Sequence, residues 1–136
     1  MYKNGEGVLQ NDKTAVEWYT KAAEQGDAKA QNSLGVMYDE GMGVPQNYKT
    51  GVKWYTKAAE QGLAIAQRNL GLMYESGSGV LTNNVRAYMW FNLAKYNGYE
   101  RSVEDMKTIS NKMTSADISK AQEMSSRCLE SGYTDC

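Results

Sequence analysis

The feature that most constrains this chain is a period of 36 residues. Shifted by that distance, residues 5–40 fall onto 41–76 with 24 identities in 36 positions. Trp18-Tyr19-Thr20-Lys21-Ala22-Ala23-Glu24-Gln25-Gly26 recurs unchanged at Trp54-Tyr55-Thr56-Lys57-Ala58-Ala59-Glu60-Gln61-Gly62. A third copy opens at Gly77 and keeps Gly79, Val80, Ala87, Trp90, Phe91, Ala94 and Gly98 before the pattern fades. Repeats of this length are supersecondary units that bury a core only by stacking on their neighbours. The predicted organisation is therefore one solenoid domain. It comprises a remnant at 1–4, repeats at 5–40 and 41–76, a degenerate repeat at 77–112 and a C-terminal cap at 113–136.

Each unit reads as a pair of helices. Ala15, Trp18, Tyr19, Ala22 and Ala23 recur at helical spacing on one stripe of a first helix. Asn11 or Asp12 is placed to cap its start, and Gly26 to end it in a left-handed conformation. Ala30, Leu34, Met37 and Tyr38 form the stripe of a second helix, and Gly41-x-Gly43 turns the chain onward. Gly35 and Gly71 sit inside second helices at a cost of about 1 kcal/mol each relative to Ala. A repeated cost of this kind predicts close approach of a neighbouring helix. The tail is expected to add a polar helix near 100–112, carrying Val103, Met106, Ile109 and Met113 on one face. A last helix, capped by Thr114 and Asp117, turns Ile118, Ala121, Met124, Cys128 and Leu129 inward. Its outer face holds Ser119, Lys120, Glu123, Ser126 and Arg127.

The run Ala-x-x-Trp-Tyr-x-Lys-Ala-Ala-Glu-Gln-Gly, then Ala-x-Ala-Gln-x-x-Leu-Gly-x-Met-Tyr, then Gly-x-Gly-Val-Pro-Gln-Asn-Tyr resembles the Sel-one-like repeat, a tetratricopeptide-like α-solenoid. Residues 41–76 match most fully, with Gly51 where Ala is usual; residues 99–136 resemble the family's C-terminal cap. The resemblance implies an all-α fold, a right-handed α/α superhelix of antiparallel helix pairs with the first helices on the concave side. It also implies protein–protein interaction as the general function, in bacterial envelope, secretion or host-contact systems and in eukaryotic quality control; repeats this regular, ending in such a tail, resemble the bacterial members. It carries no catalytic set to transfer.

Several function classes are disfavoured by composition. The chain has no histidine, which removes the commonest general base and nitrogen metal ligand. A net charge of −1 offers no broad basic field for nucleic acid, and no apolar run is long enough to insert into a membrane. No cofactor and no metal is expected. Some relatives of the family carry a β-lactamase label, which makes a cell-wall-directed hydrolase the alternative reading. That chemistry needs a Ser with Lys three residues on, whereas Ser33 leads to Val36, Ser110 to Met113 and Ser119 to Gln122.

Candidate partner-binding residues are those that vary where the framework repeats. On the first helices these are Glu17, Thr20 and Lys21; Lys53, Thr56 and Lys57; and Tyr88, Met89 and Asn92. If these helices line the concave side, the residues tile it from mixed charge towards a Tyr88/Met89/Asn92 patch. The ladder Trp18/Trp54/Trp90 with Tyr19/Tyr55/Phe91 reads as interhelical packing rather than an aromatic groove, since it shares the apolar stripe with Ala22 and Ala23. The first complete repeat has no helix pair before it, so an open N-terminal flank is a candidate for self-association or for stacking on more repeats.

Cys128 and Cys136 are not a Cys-x-x-Cys pair. Gly132 can end the last helix and let the chain return Cys136 towards Cys128, so a disulfide is sterically open, as are two free thiols. A disulfide would imply an oxidising compartment, periplasmic or extracellular, hence export and a leader upstream of Met1, and free thiols the cytoplasm; the first residues, Met1-Tyr2-Lys3-Asn4-Gly5, have no apolar region of the signal-peptide kind.

Overall fold

The computed structural model describes the chain from residue 5 to residue 136, with side chains described from residue 11 onward. The remnant at 1–4 lies outside the described residues. Among them are seven helices and no strand: α1 (Gly5–Glu24), α2 (Ala28–Glu40), α3 (Tyr48–Ala59), α4 (Ala64–Ser76), α5 (Asn84–Tyr96), α6 (Ser102–Ser110) and α7 (Ser115–Glu130). The first six form three antiparallel pairs. Within the stack, α2 packs on α3 and α4 on α5 more extensively than α1 does on α2 or α3 on α4. The repeat boundary is thus as much a core as the repeat itself, as a solenoid requires.

The elements end where the sequence places their caps. Asn47 and Asn83 accept the backbone N–H of Thr50 and Arg86 at 3.0 Å. Gly41 and Gly77 close α2 and α4 in left-handed conformations. Thr114 and Asp117 form a reciprocal capping box at α7. Asn11, the equivalent of Asn47, does not cap: α1 already begins at Gly5. In the later copies the linking loop is tied back, Asn47 N–H to the Tyr38 carbonyl and Asn83 N–H to that of Tyr74. The glycines of those loops lie against the preceding pair, and a Cβ on Gly43 would fall 2.5 Å from the Asp12 carbonyl carbon. The equivalent anchor for the first copy falls at Tyr2, outside the described residues.

The predicted close approach at the helical glycines is present. A Cβ on Gly35 would meet the Tyr55 ring at 2.7 Å, and one on Gly71 the Phe91 ring at 2.6 Å. Each ring lies over the second helix of the preceding pair. Buried Gln31 and Gln67 donate to the carbonyls of Ala23 and Ala59, both at 3.1 Å, so the repeated glutamine satisfies the last turn of each first helix.

The end of the stack departs from the repeat. Arg68 binds Asp105 through Nε at 2.9 Å and Nη2 at 3.3 Å, fastening α6 to α4. Hydrogen bonding to Asp105 holds the Arg68 guanidinium above its ordinary pKa. Helix α7 lies chiefly against α5. Ala121 and Cys128 are buried, whereas Ser119, Lys120, Glu123, Ser126 and Arg127 are exposed.

Candidate functional site

On α1, Glu17 and Lys21 are exposed, and the Lys21 ammonium lies 5.8 Å from the centroid of the Trp18 ring. On α3, Lys53 and Lys57 are exposed, and the Lys53 ammonium lies 5.2 Å from the Trp54 centroid. Thr20 and Thr56 are half-buried; their hydroxyls donate to the carbonyls of Val16 at 2.6 Å and Val52 at 2.7 Å. Such i to i−4 bonds occupy the hydroxyl proton, so these threonines offer a partner their lone pairs and methyl groups. Four of the nine predicted residues, Glu17, Lys21, Lys53 and Lys57, are thus exposed, with Thr20 and Thr56 half-buried beside them on their own helices.

The other three do not join them. Tyr88 and Met89 are buried, Met89 completely, and Asn92 is half-buried with its amide donating to the Ser125 hydroxyl at 3.2 Å. Ser125 in turn donates to the Ala121 carbonyl at 3.0 Å. The predicted Tyr88/Met89/Asn92 patch is thus interior, because α7 lies over that part of α5. The replacements that suggested a binding patch, Lys53 by Met89 and Lys57 by Leu93, are those expected of a face that becomes core. Ser125 was not singled out from sequence, since a serine on an otherwise polar helix carries no distinguishing signal.

Beside Lys53 and Lys57 a cleft of about 420 Å³ opens between the end of α1 and the side of α3. Ala23, Gly26 and Gln31 form one wall, and Lys53, Trp54 and Lys57 the other, with Glu24 at the rim. Gly26, at φ +95°, has no neighbour within 4 Å of where a Cβ would stand. One repeat further on, the same positions are Ala59, Gly62, Gln67, Met89, Trp90 and Leu93, and that interval is filled. A Cβ on Gly62 would lie 3.5 Å from the Tyr133 ring. Ala59, Met89, Trp90 and Leu93 belong to one buried cluster with Cys128, and Tyr133 and Cys136 pack against it. Asn97 donates to Gln67 Oε1 at 3.0 Å and to the Tyr133 hydroxyl at 2.8 Å.

The filling segment is closed covalently. Cys128 and Cys136 form a disulfide with their Cα atoms 4.6 Å apart. The Tyr133 N–H donates to the Cys128 carbonyl at 2.9 Å, and Arg86 donates to the Cys136 carbonyl at 2.7 Å. A second depression, of about 310 Å³, borders this segment between Arg86, Lys120 and Arg127. Its charges are largely matched internally, Arg127 lying 3.3 Å from Glu123 and 4.0 Å from Asp135.

The aromatic ladder is graded. Trp90 is 2% exposed, Trp54 9% and Trp18 69%. Trp54 packs with Ala23, Ala30 and Leu34 of the preceding pair. Tyr19 is exposed beside Trp18, so the flank of α1 that carries the two rings is accessible. The Tyr55 hydroxyl donates to Asp39 Oδ2 at 3.0 Å. Burial first, then the Asp39 charge and that hydrogen bond, push its pKa far above the ordinary value, so it serves as a fixed donor between repeats. Among the described residues, no cluster of three or more His, Cys, Asp or Glu could hold a metal ion, and no helix is long and apolar enough to cross a membrane.

The Sel1 repeat model matches residues 1–27, 28–63 and 64–99. The second and third matches begin 36 residues apart, the period found in the sequence. No curated protein matches the chain. Among solved structures, a protective antigen of uropathogenic Escherichia coli strains with an SLR fold superposes with a TM-score of 0.85 at 35% identity over 89% of this chain. A Sel1 repeat protein from Oxalobacter formigenes gives 0.67 at 31% identity, also over 89%. The chain spans 27% of the length of the first and 57% of the second. With its helix pairs, their period and the repeat matches in agreement, the chain belongs to the Sel1 repeat family.

Proposed function

We propose that this chain is a protein-interaction module that holds a peptide segment or protein loop on the concave face formed by α1 and α3. Glu17, Thr20, Lys21, Lys53, Thr56 and Lys57 form the contact surface. The observation that carries this reading is the contrast between two equivalent clefts: the one beside α5 is occupied by the chain's own tail, and the one beside α3 is open. A surface preordered by stacked helices loses little conformational entropy on binding. The family membership supports interaction as the general role, and bacterial relatives support a bacterial origin. The disulfide supports an oxidising compartment. The reading is non-catalytic, with no nucleic acid or membrane partner. A β-lactam turnover assay is expected to give no rate above buffer, against the hydrolase alternative.

The test is a pull-down from the source cells with the wild-type chain and a K53E/K57E variant whose helicity and melting match wild type. Loss of a retained band in the variant supports this face. Retention of the same band by both rejects it.

A second reading rests on Trp18 and Tyr19: the open flank of α1 associates with more repeats or with another copy. The face that complements it inside this chain is a second helix with a glycine under the ring, as α2 offers Tyr55. Both such helices, α2 and α4, are already covered by α3 and α5. This favours additional repeats over a head-to-tail second copy, and sedimentation across a concentration series separates the two.

A further inference from the structure

We infer that the open cleft between α1 and α3 is a receptor for a tight turn that presents an aromatic ring flanked by acidic residues. This rests on the proposed interaction role and specifies the ligand. The argument comes from the occupied cleft one repeat away. There the occupant is a turn, closed by Cys128 and Cys136, that lays the Tyr133 ring over Gly62.

Tyr133 is the one non-glycine residue with positive φ among the described residues, at +69°. A bulky side chain in that conformation is strained and persists only where its surroundings hold it. Here they are the disulfide, the Cys128 carbonyl and the Asn97 amide. The occupied cleft therefore recognises an aromatic ring on a preformed turn.

The open cleft retains the parts that receive the ring. Gly26, with φ +95°, repeats Gly62 with φ +86°, and neither carries a side chain to block the approach. Trp54 repeats Trp90. Gln61 stands where Asn97 stands and likewise donates to the buried glutamine, Gln31 Oε1 at 2.8 Å; its other bond goes to the Gly26 carbonyl at 2.9 Å, where that of Asn97 goes to the Tyr133 hydroxyl. What changes is the wall beside the ring, where Met89 and Leu93 become Lys53 and Lys57. In the occupied cleft those two positions are completely buried in the cluster that contains Cys128; in the open one they carry two ammonium groups. The same geometry with that exchange calls for carboxylates where the tail presents its apolar disulfide. Glu24 at the rim repeats Glu60 and so does not alter the comparison. Ammonium groups facing a bound carboxylate supply charge-assisted hydrogen bonds and disfavour an apolar group such as the tail's disulfide at that wall.

The probe is the head-to-tail cyclised hexapeptide Glu-Ser-Gly-Tyr-Thr-Asp, which carries the tail's own sequence from residue 130 to 135 without its cysteines. Its binding to the full chain is followed by amide and indole NMR shifts. The expected result is saturable shifts at Gly26, Gln31 and the Trp54 indole, weakened at least about tenfold by K53E/K57E. Replacing the probe's Tyr by Ala, or its two acids by amides, should abolish them. No shifts at millimolar probe, shifts confined to Gly62 and Asn97, or shifts indifferent to the loss of the Tyr each overturn the inference. If the probe fails while K53E/K57E still loses a cellular partner, this ligand class is wrong and the interaction face stands.

Discussion

Tyr55 lies across the boundary between the first two helix pairs with its ring over Gly35, so close that a Cβ there would stand 2.7 Å from both Cδ1 and Cε1. The contact explains a helical glycine that propensity alone opposes. Gly35→Ala should therefore destabilise the fold, even though Ala is preferred in a helix by up to about 1 kcal/mol. Overpacking costs roughly 1–3 kcal/mol, and the Tyr55 ring, 2% exposed, has little room to retreat. Urea denaturation is expected to show a lower midpoint for Gly35→Ala. Tyr55→Leu should absorb part of the loss in a double-mutant cycle.

The Tyr55 hydroxyl links stability to alkaline pH. Burial and the neighbouring Asp39 raise its pKa far above the ordinary 10.0. Above about pH 10 the unfolded chain loses this proton and the folded chain keeps it, so the unfolded state binds fewer protons and stability falls as pH rises. Below that pH both states are protonated and this group adds no slope. Tyr55→Phe should cost about 1.5–3 kcal/mol near neutrality, through the lost hydrogen bond to a carboxylate. The gap to wild type should narrow by about 1.4 kcal/mol by pH ~11. A gap independent of pH in urea titrations would refute the assignment.

Closure of the tail has a separate signature. Cys128 and Cys136 are eight residues apart, and a loop of that size contributes roughly 2–3 kcal/mol on the chain-entropy model. Cys136→Ser is expected to lower stability by about that amount. Hydrogen exchange should accelerate at residues 131–136 and at Gly62, where Tyr133 rests, while α2 and α3 keep their protection. Uniform acceleration along the chain would instead make the disulfide a global staple.

The repeat made the helices, their period and the role of Gly35 and Gly71 legible, because each copy reports on the others. The capping box at Thr114 and Asp117 was legible for a local reason, since its partners are three residues apart. Placement of α7 was not. Nothing in the periodicity tells whether a last helix continues the stack or folds over α5, and that choice converts Met89 from a surface candidate to core. The change from Lys53 and Lys57 to Met89 and Leu93 held the information, but an apolar residue on a variable face reads equally as a contact for a partner or for the chain itself. Asn11 misled in the opposite direction. Its identity with Asn47 and Asn83 promised a cap, yet Asn11 lies inside α1, which begins at Gly5.

The three tryptophans test the stack itself, because one residue type occupies one repeat position in three different surroundings. Trp90 and Trp54 are 2% and 9% exposed, and truncation of a packed tryptophan to Ala costs roughly 3–5 kcal/mol. Trp18 is 69% exposed, and its replacement should stay within about 0.5 kcal/mol, as surface substitutions do. The expected order of loss in urea denaturation is Trp90→Ala and Trp54→Ala large, Trp18→Ala small. Acrylamide quenching of the wild-type chain should show a readily accessible component that Trp18→Phe removes. A large, concentration-dependent loss at Trp18→Ala would mean that the flank of α1 is covered in solution by another copy. That outcome would replace an open edge by an interface and favour self-association over additional repeats.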